Sequence, residues 1–237
     1  ADTHAQNFVE SEDLIYKTRR IIVIDHHRMM VNHIKNAQIF YHEPYASSAS
    51  EMVAELVQYI KGTVIGEAES QAMLGGIMLD TKNFVLKTGA RTFEASAFLK
   101  RCGADTVQVK RLFADSLETY KEKAQLVSGA EIIENCAIAV SDWQDGDMRI
   151  AAAQAADELL SIRGVKASFV IYRNGSDVNI SARSLGDVNV QLILEEFGGG
   201  GHLTMAGAQI KDTTVKRINE RLKKVIKEKI DTVTVKD

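Results

Sequence analysis

Residues 21–27 read IIVIDHH, four branched aliphatic side chains followed at once by an aspartate and two histidines. An unbroken aliphatic run of this kind suits a strand covered on both faces, as in a parallel sheet, where strands lose the in/out alternation of an antiparallel one. Charge then arrives abruptly at Asp25, His26 and His27. In open α/β sheets ligands bind beyond the carboxyl ends of the strands, which is where this tripeptide emerges.

Outward from that strand, composition sets the bounds. The chain has 237 residues, 45% of them apolar and 26% charged, enough to bury a substantial core in one large domain or two smaller ones. Disorder over most of the chain is excluded on that ground. A formal net charge of −3 offers no broad basic face for duplex nucleic acid, while a small anionic substrate stays compatible with one locally positive pocket. Cys102 and Cys136 have neither CxxC nor zinc-type spacing, so reduced thiols are expected. No apolar run reaches the ~18 residues of a membrane span. The chain opens on "ADTH", as though inside an element, and the expectation is of a fragment with further sequence upstream.

The first half reads as alternating strand and helix. In "EPYASSASEMVAELVQYIKG" (43–62) Ser47 or Ser48 can cap a helix whose apolar stripe is Val53, Leu56, Val57 and Ile60, ended by Gly62. Helices follow over 69–79, stopping at Asp80, over 92–100 and over 106–123. Beyond about Leu126 the pattern changes: a strand at 136–143, a helix at 148–162, a hairpin at 167–184 turning at Asn174-Gly175, a short helix at 188–197, a strand at 206–210 and a basic amphipathic helix at 214–230. The boundary is placed near 115–130, giving an α/β domain over 1–120 with a parallel sheet and a smaller α+β domain with a mixed sheet over 121–237.

Three constellations carry chemistry. Imidazole and carboxylate together suit Mn²⁺, Fe²⁺ or Zn²⁺, and a ligating histidine needs a partner on its other ring nitrogen. Three adjacent residues at a strand end cannot all point one way, so further ligands should come from other strands, with Asp2 in "ADTH" and Asp80 in "GIMLDTKNF" as candidates. The alternative is an ordinary solvated strand terminus. Second, "FGGGGHLTMAGAQI" (197–210) sets Gly198, Gly199, Gly200 and Gly201 before His202; glycine N–H groups can cradle an anion as a nest, with His202 beside it, the alternative being a flexible hinge. Third, Arg183 and Ser184 end the predicted hairpin, and the arginine offers a planar fork for phosphate or a base. His33 and His42 read as surface or loop residues, and Trp143 as core or interface packing.

Taken together, "VIDHH" and a distant "GGGGH" resemble the DHH–DHHA1 phosphoesterases over essentially the whole chain. Within that family "YHEPYASSASEMVAEL", "DTKNFVLKTGARTFEASAFLKRCGAD" and "AQAADELLSI" are similar to the membrane-anchored bacterial cyclic-di-AMP phosphodiesterases, in which a membrane segment, a PAS domain and a degenerate GGDEF domain come first. The resemblance implies a site of two Mn²⁺ ions, with Fe²⁺, Co²⁺ or Mg²⁺ as substitutes. Asp2, His26 and Asp80 match metal ligands, Asp2 the bridging one. His27 matches a histidine facing the scissile phosphate, and Asp25 supports the pair. Arg183, Ser184, Gly198–Gly201 and His202 match the substrate-holding side, with the active site in the cleft between the domains.

The implied reaction is hydrolysis of cyclic di-AMP to 5′-pApA by attack of a metal-bridging hydroxide, in the cytoplasmic part of a membrane-anchored protein, with a homodimer compatible. The family's first motif, a histidine and two aspartates on the first strand, belongs before Asp2 and does not occur here; the expectation is that it lies upstream and that this polypeptide alone has weak or no activity. The alternatives are an oligoribonuclease or pApA hydrolase of the same family and a non-catalytic sensor of cyclic dinucleotides.

Overall fold

The computed structural model describes residues 1–142 and 148–234. Trp143, expected in packing, lies outside them. The chain divides into two compact units, Ala1–Ala114 and Asp115–Asp237.

In the first unit the IIVIDHH run forms β1 (Ile22–Asp25), which pairs in parallel with β2 (Ile39–His42), Ile22 opposite Ile39 and Asp25 opposite His42. The other edge of β1 is met by the N-terminal segment, where Asp2 N–H donates to the Ile24 carbonyl at 2.8 Å. Ile34 N–H donates to the His4 carbonyl at 2.8 Å, and Ala5 forms an isolated bridge with His33. The short helix α1 (Glu12–Lys17) lies between these segments in sequence, and Ile15, Val23 and Ile34 form a small core.

Four helices complete the unit: α2 (Ala49–Val57), α3 (Glu67–Asp80), α4 (Ala90–Arg101) and α5 (Thr106–Leu112). Ser48 is the N-cap of α2, its hydroxyl accepting from Glu51 N–H at 3.0 Å, a contact worth about 1 kcal/mol. The expected apolar stripe of α2 is rotated. Ala49, Glu51, Met52 and Ala54 are buried, Leu56 is exposed, and Ile60 lies beyond the helix end. The reason is Glu51, whose carboxylate is drawn inward by the Ser47 hydroxyl at 2.5 Å, so a charged residue occupies the inner face. The helix expected over 106–123 is broken, because Asp105 caps α5 and Ser116 caps a new helix, α6 (Leu117–Ser128), in the second unit. Ala54, Leu74, Ile77, Ala95, Leu99, Ala104 and Val109 form the core among α2–α5.

The second unit is built on a mixed six-stranded sheet. Its strands are β3 (Glu131–Ile133), β4 (Cys136–Ser141), β5 (Ala167–Asn174), β6 (Asp177–Ser184), β7 (Gly200–Gly201) and β8 (Met205–Ile210), in spatial order β3-β4-β5-β6-β8-β7. Only β4 and β5 pair in parallel. The hairpin β5–β6 turns one residue later than read, at Gly175-Ser176, with Gly175 at φ 61°. One face packs on α8 (Val190–Glu195) and α9 (Val215–Val233) through Phe169, Ile193, Leu222 and Ile226; the other packs on α6 and α7 (Arg149–Leu159) through Ala139, Ala155, Val170 and Leu159. Each of those large side chains contributes roughly 1.5–3 kcal/mol by leaving water. Cys102 and Cys136 are both unpaired, and burial pushes the Cys136 thiol up to about 12, making it an inert core group.

The glycine run follows α8 and has two jobs. Gly199 N–H donates to the Leu194 carbonyl at 2.9 Å and Gly198 N–H to the Glu195 carbonyl at 3.0 Å, with Gly198 at φ 72°, a Schellman closure of the helix. The chain then folds tightly onto β8, leaving no room for side chains: a Cβ on Gly199 would stand 2.3 Å from the Gly207 carbonyl oxygen, and one on Gly201 2.4 Å from the Met205 carbonyl oxygen. At Gly200 a Cβ would meet nothing within 4 Å. Gly199→Ala and Gly201→Ala should therefore each destabilise the protein by about 1–3 kcal/mol in urea unfolding, whereas Gly200→Ala, on the same strand, should cost clearly less.

Candidate metal centre

The end of β1 gathers three groups from separate parts of the first unit. His26 is buried, with 6% exposure, and its Nε2 lies 3.4 Å from Asp2 Oδ1 and 3.5 Å from Asp80 Oδ2. Its Nδ1 donates to the Ala46 carbonyl at 3.2 Å. That bond puts the ring proton on Nδ1 and leaves the Nε2 lone pair directed at the two carboxylates, the arrangement a ligating histidine needs. One oxygen of Asp2 and one nitrogen each of His26 and His27 fall within 4.8 Å of one another.

Asp80 is the last residue of α3, at the stop expected for the helix over 69–79, and Asp2 sits in irregular chain at φ 66°, so neither of the further ligands expected from other strands lies on one. Beyond Asp80 the backbone turns sharply through Lys82, Asn83 and Phe84, at φ 49°, 57° and 65°, three successive left-handed residues with side chains. Such conformations persist only where the surroundings over-determine them. Here the buried Thr81 hydroxyl donates to the Ile77 carbonyl at 2.7 Å and accepts from Phe84 N–H at 2.9 Å. Asn83 N–H donates to the Met78 carbonyl at 2.8 Å, and the Phe84 ring stacks on Phe93 at 5.5 Å. Burial first, and then the negative charge of Asp2, push the Asp80 carboxyl up, against the opposing influence of His26.

Two donors about 2.0–2.2 Å from one cation at a tetrahedral angle stand about as far apart as His26 Nε2 does from Asp2 Oδ1 and from Asp80 Oδ2. Two carboxylates and an imidazole lone pair also match the hard-to-borderline chemistry of Mn²⁺, Fe²⁺ or Mg²⁺ better than that of a thiolate-preferring ion. The His26–Asp2 and His26–Asp80 pairs each fit a divalent cation, while the three groups whose donor atoms all fall within 4.8 Å of one another are Asp2, His26 and His27.

Beside this set, Asp25 has no solvent exposure and His27 is about half exposed. Asp25 Oδ1 accepts from His27 Nδ1 at 2.7 Å and from His27 N–H at 3.2 Å; Oδ2 accepts from Nδ1 of His4. Burial alone would raise the Asp25 carboxyl, but the hydrogen bonds from His27 and His4 outweigh it and hold the group at about 2. With Nδ1 committed to Asp25, Nε2 is the remaining nitrogen of His27. Two participants were not picked out from the sequence. His4 is a buried member of the cluster, signalled only by its place two residues after Asp2. His42, read as surface or loop, stands on β2 opposite Asp25 and donates Nε2–H to the His27 carbonyl at 2.6 Å.

In the second unit Arg183, Ser184 and His202 come to one end of the sheet. Arg183 is opposite Met205 in the β6–β8 register, Ser184 N–H donates to the Thr204 carbonyl at 2.9 Å, and His202 N–H donates to the Met205 carbonyl at 2.6 Å. Two of these side chains already have partners within the unit. The Ser184 hydroxyl is buried and accepts from Gly186 N–H and Val188 N–H at 3.0 and 3.2 Å, so it shapes a turn. Arg183 is buried too; its Nη1 donates to the Ala182 carbonyl at 2.9 Å, and its Nε lies 3.3 Å from Asp157 Oδ1 as an ion pair without aligned hydrogen-bond geometry. In the glycine run the N–H groups of Gly198, Gly199 and His202 already meet carbonyls of their own chain, so these three are committed to backbone and not open to an anion. His202 keeps an exposed side chain.

Comparison with known proteins is consistent with both units. The family models described as "DHH family, N-terminal domain" and "DHHA1 domain" match residues 1–79 and 134–229. The chain is 47% identical over 228 residues to a cyclic-di-AMP phosphodiesterase, GdpP, of Geobacillus thermodenitrificans, covering 95% of this chain and 35% of that protein. It is 42% identical over 224 residues to the cyclic-di-AMP phosphodiesterase PdeA of Listeria monocytogenes, covering 93% and 34%. It thus spans about a third of the length of these curated relatives. Among solved structures, an exopolyphosphatase-related protein from Bacteroides fragilis shares the fold, with a TM-score of 0.83 at 21% identity over 97% of this chain and 71% of the other. Two successive family matches, on the two units that the fold itself separates, place this chain in the DHH–DHHA1 family.

Proposed function

We propose that this chain is the catalytic module of a divalent-metal-dependent phosphodiesterase that opens cyclic di-AMP to linear 5′-pApA. The observation that carries the reading is the convergence of His26 Nε2 on Asp2 and Asp80, with His27 oriented beside them by Asp25. The substrate is proposed from relatives at 42–47% identity that are named for it. Two Mn²⁺ ions are the proposed cofactors, and Asp2, His26 and Asp80 are the residues that would hold metal. A bound divalent cation supplies Lewis-acid polarisation of the phosphoryl oxygens and acidifies water.

The residues' own work is positional. His26 is locked by the Ala46 carbonyl so that its lone pair faces the carboxylates. His27, with Nδ1–H directed to Asp25, turns Nε2 toward the space where a phosphoryl oxygen would sit, ready to exchange a proton or a hydrogen bond with it as charge develops there. On the second unit His202 is the group left exposed to meet a nucleotide, while Arg183, Ser184 and the glycines hold the turn that presents it. The relatives' greater length and the sequence resemblance support a further proposal, that the module is the cytoplasmic part of a membrane-anchored protein; among the described residues no helix is long and apolar enough to cross a membrane.

With Mn²⁺, the intact protein should convert cyclic di-AMP to 5′-pApA, and a chelator should stop turnover. Faster degradation of pApA or of a short RNA oligonucleotide would favour the oligoribonuclease reading instead, and metal-independent binding of cyclic di-AMP without turnover would favour a sensor. Asp80→Ala should weaken Mn²⁺ binding by at least the ~10–100-fold that loss of even an outer-shell partner costs, as measured by calorimetric titration, and should remove activity in parallel. Full turnover by the metal-replete variant would refute the assignment of Asp80.

A further inference from the structure

The mechanism uses His27 but leaves unexplained why a second histidine is buried behind it. His4 is 1% exposed, and both of its ring nitrogens are engaged. Nε2 is met at 2.8 Å by the backbone N–H of Met30. An amide nitrogen can only donate, so Nε2 must accept, and the proton of the neutral ring is on Nδ1. Nδ1 is the atom that meets Asp25 Oδ2. The ring is further confined by edge-on contacts with His42 and Phe40, at centroid distances of 5.2 and 6.4 Å.

The bonds converge on Asp25 from two sides. Met30 N–H points to His4 Nε2, His4 Nδ1–H to Asp25 Oδ2, and His27 Nδ1–H to Asp25 Oδ1. Asp25 accepts at both oxygens and, gripped in this way, cannot rotate about its terminal torsion. We propose that His4 is a positioning residue that, through Asp25, holds His27 in the tautomer and ring orientation that leaves Nε2 facing the reacting phosphate. The fixed end of the His4 side is a main-chain amide of the loop that follows His27, so the orientation is referred to backbone, which cannot change its hydrogen-bonding sense. The inference rests on the phosphodiesterase reading for what His27 does, but not for how it is held.

Two substitutions separate the halves of the His4 contact. Asparagine can set its amide N–H near the place of Nδ1 and still donate to Asp25; glutamine reaches toward the place of Nε2 and can still accept from Met30, but offers Asp25 no donor there. Ring-nitrogen NMR on the metal-free protein should show His27 protonated on Nδ1 in the wild type and in His4→Asn, and a mixture of tautomers in His4→Gln. With Mn²⁺ and cyclic di-AMP, His4→Gln should lose about 10–100-fold in kcat, the range for partners behind a reacting group, with KM and metal content within about threefold of wild type; His4→Asn should recover most of the loss. An unchanged His27 tautomer in His4→Gln, or loss of bound metal as the sole cause of lost activity, would overturn the proposal. If the intact, full-length wild-type protein shows no turnover, the phosphodiesterase reading fails, while the NMR comparison still decides whether His4 sets His27. Should His4→Gln fail to fold, His4→Phe read by the same NMR experiment takes its place, and a single Nδ1-protonated His27 in that variant would likewise overturn the proposal.

Discussion

A carboxylate wholly removed from water, at the last residue of β1, is the constraint around which the first unit is organised. An ionised group in that position is tolerable only when its oxygens are satisfied by donors, and Asp25 takes three N–H groups from two histidines. Supplying them demands that the N-terminal segment lie along β1, so that His4 reaches Oδ2, and that the chain bend back immediately at His27, so that backbone and ring both reach Oδ1. The same segment carries Asp2 into range of His26. The geometry that satisfies one buried charge thus also assembles the candidate ligands.

This dependence explains how much could be read from the letters alone. The aliphatic run and its abrupt polar end are local, and Asp25, His26 and His27 were legible from them. The meeting of His26 with Asp2 and Asp80 is not local; the helix stop at Asp80 was legible, but the left-handed turn behind it and the approach of that helix end to His26 belong to tertiary structure. His4 and His42 were missed for the same reason. Nothing in a sequence distinguishes a histidine facing a buried carboxylate from one facing water, and the strand holding His42 has no aliphatic run to mark it.

The rotated face of α2 shows a different limit. Hydrophobic spacing assigned Leu56 and Ile60 inward, yet Glu51 took the inner face because Ser47, one residue before the cap, offers its carboxylate a hydrogen bond. Periodicity counts apolar residues and has no means of counting a partner that makes a charged one tolerable. The glycine run was legible as a place of special backbone but not of which kind. Glycine permits close approach to an anion and to a neighbouring strand equally, and here the neighbour is β8.

That choice has a consequence at the scale of many molecules. The second unit's sheet ends in β3, three residues long, on one side and in the two-residue β7 on the other. An open sheet with a long outer strand offers unpaired amides and carbonyls that another polypeptide can extend, the usual starting point for edge-to-edge aggregation. Strands this brief give a second chain almost no ladder to continue, so a well-ordered interior of long strands is kept from polymerising by the shortness of its margins.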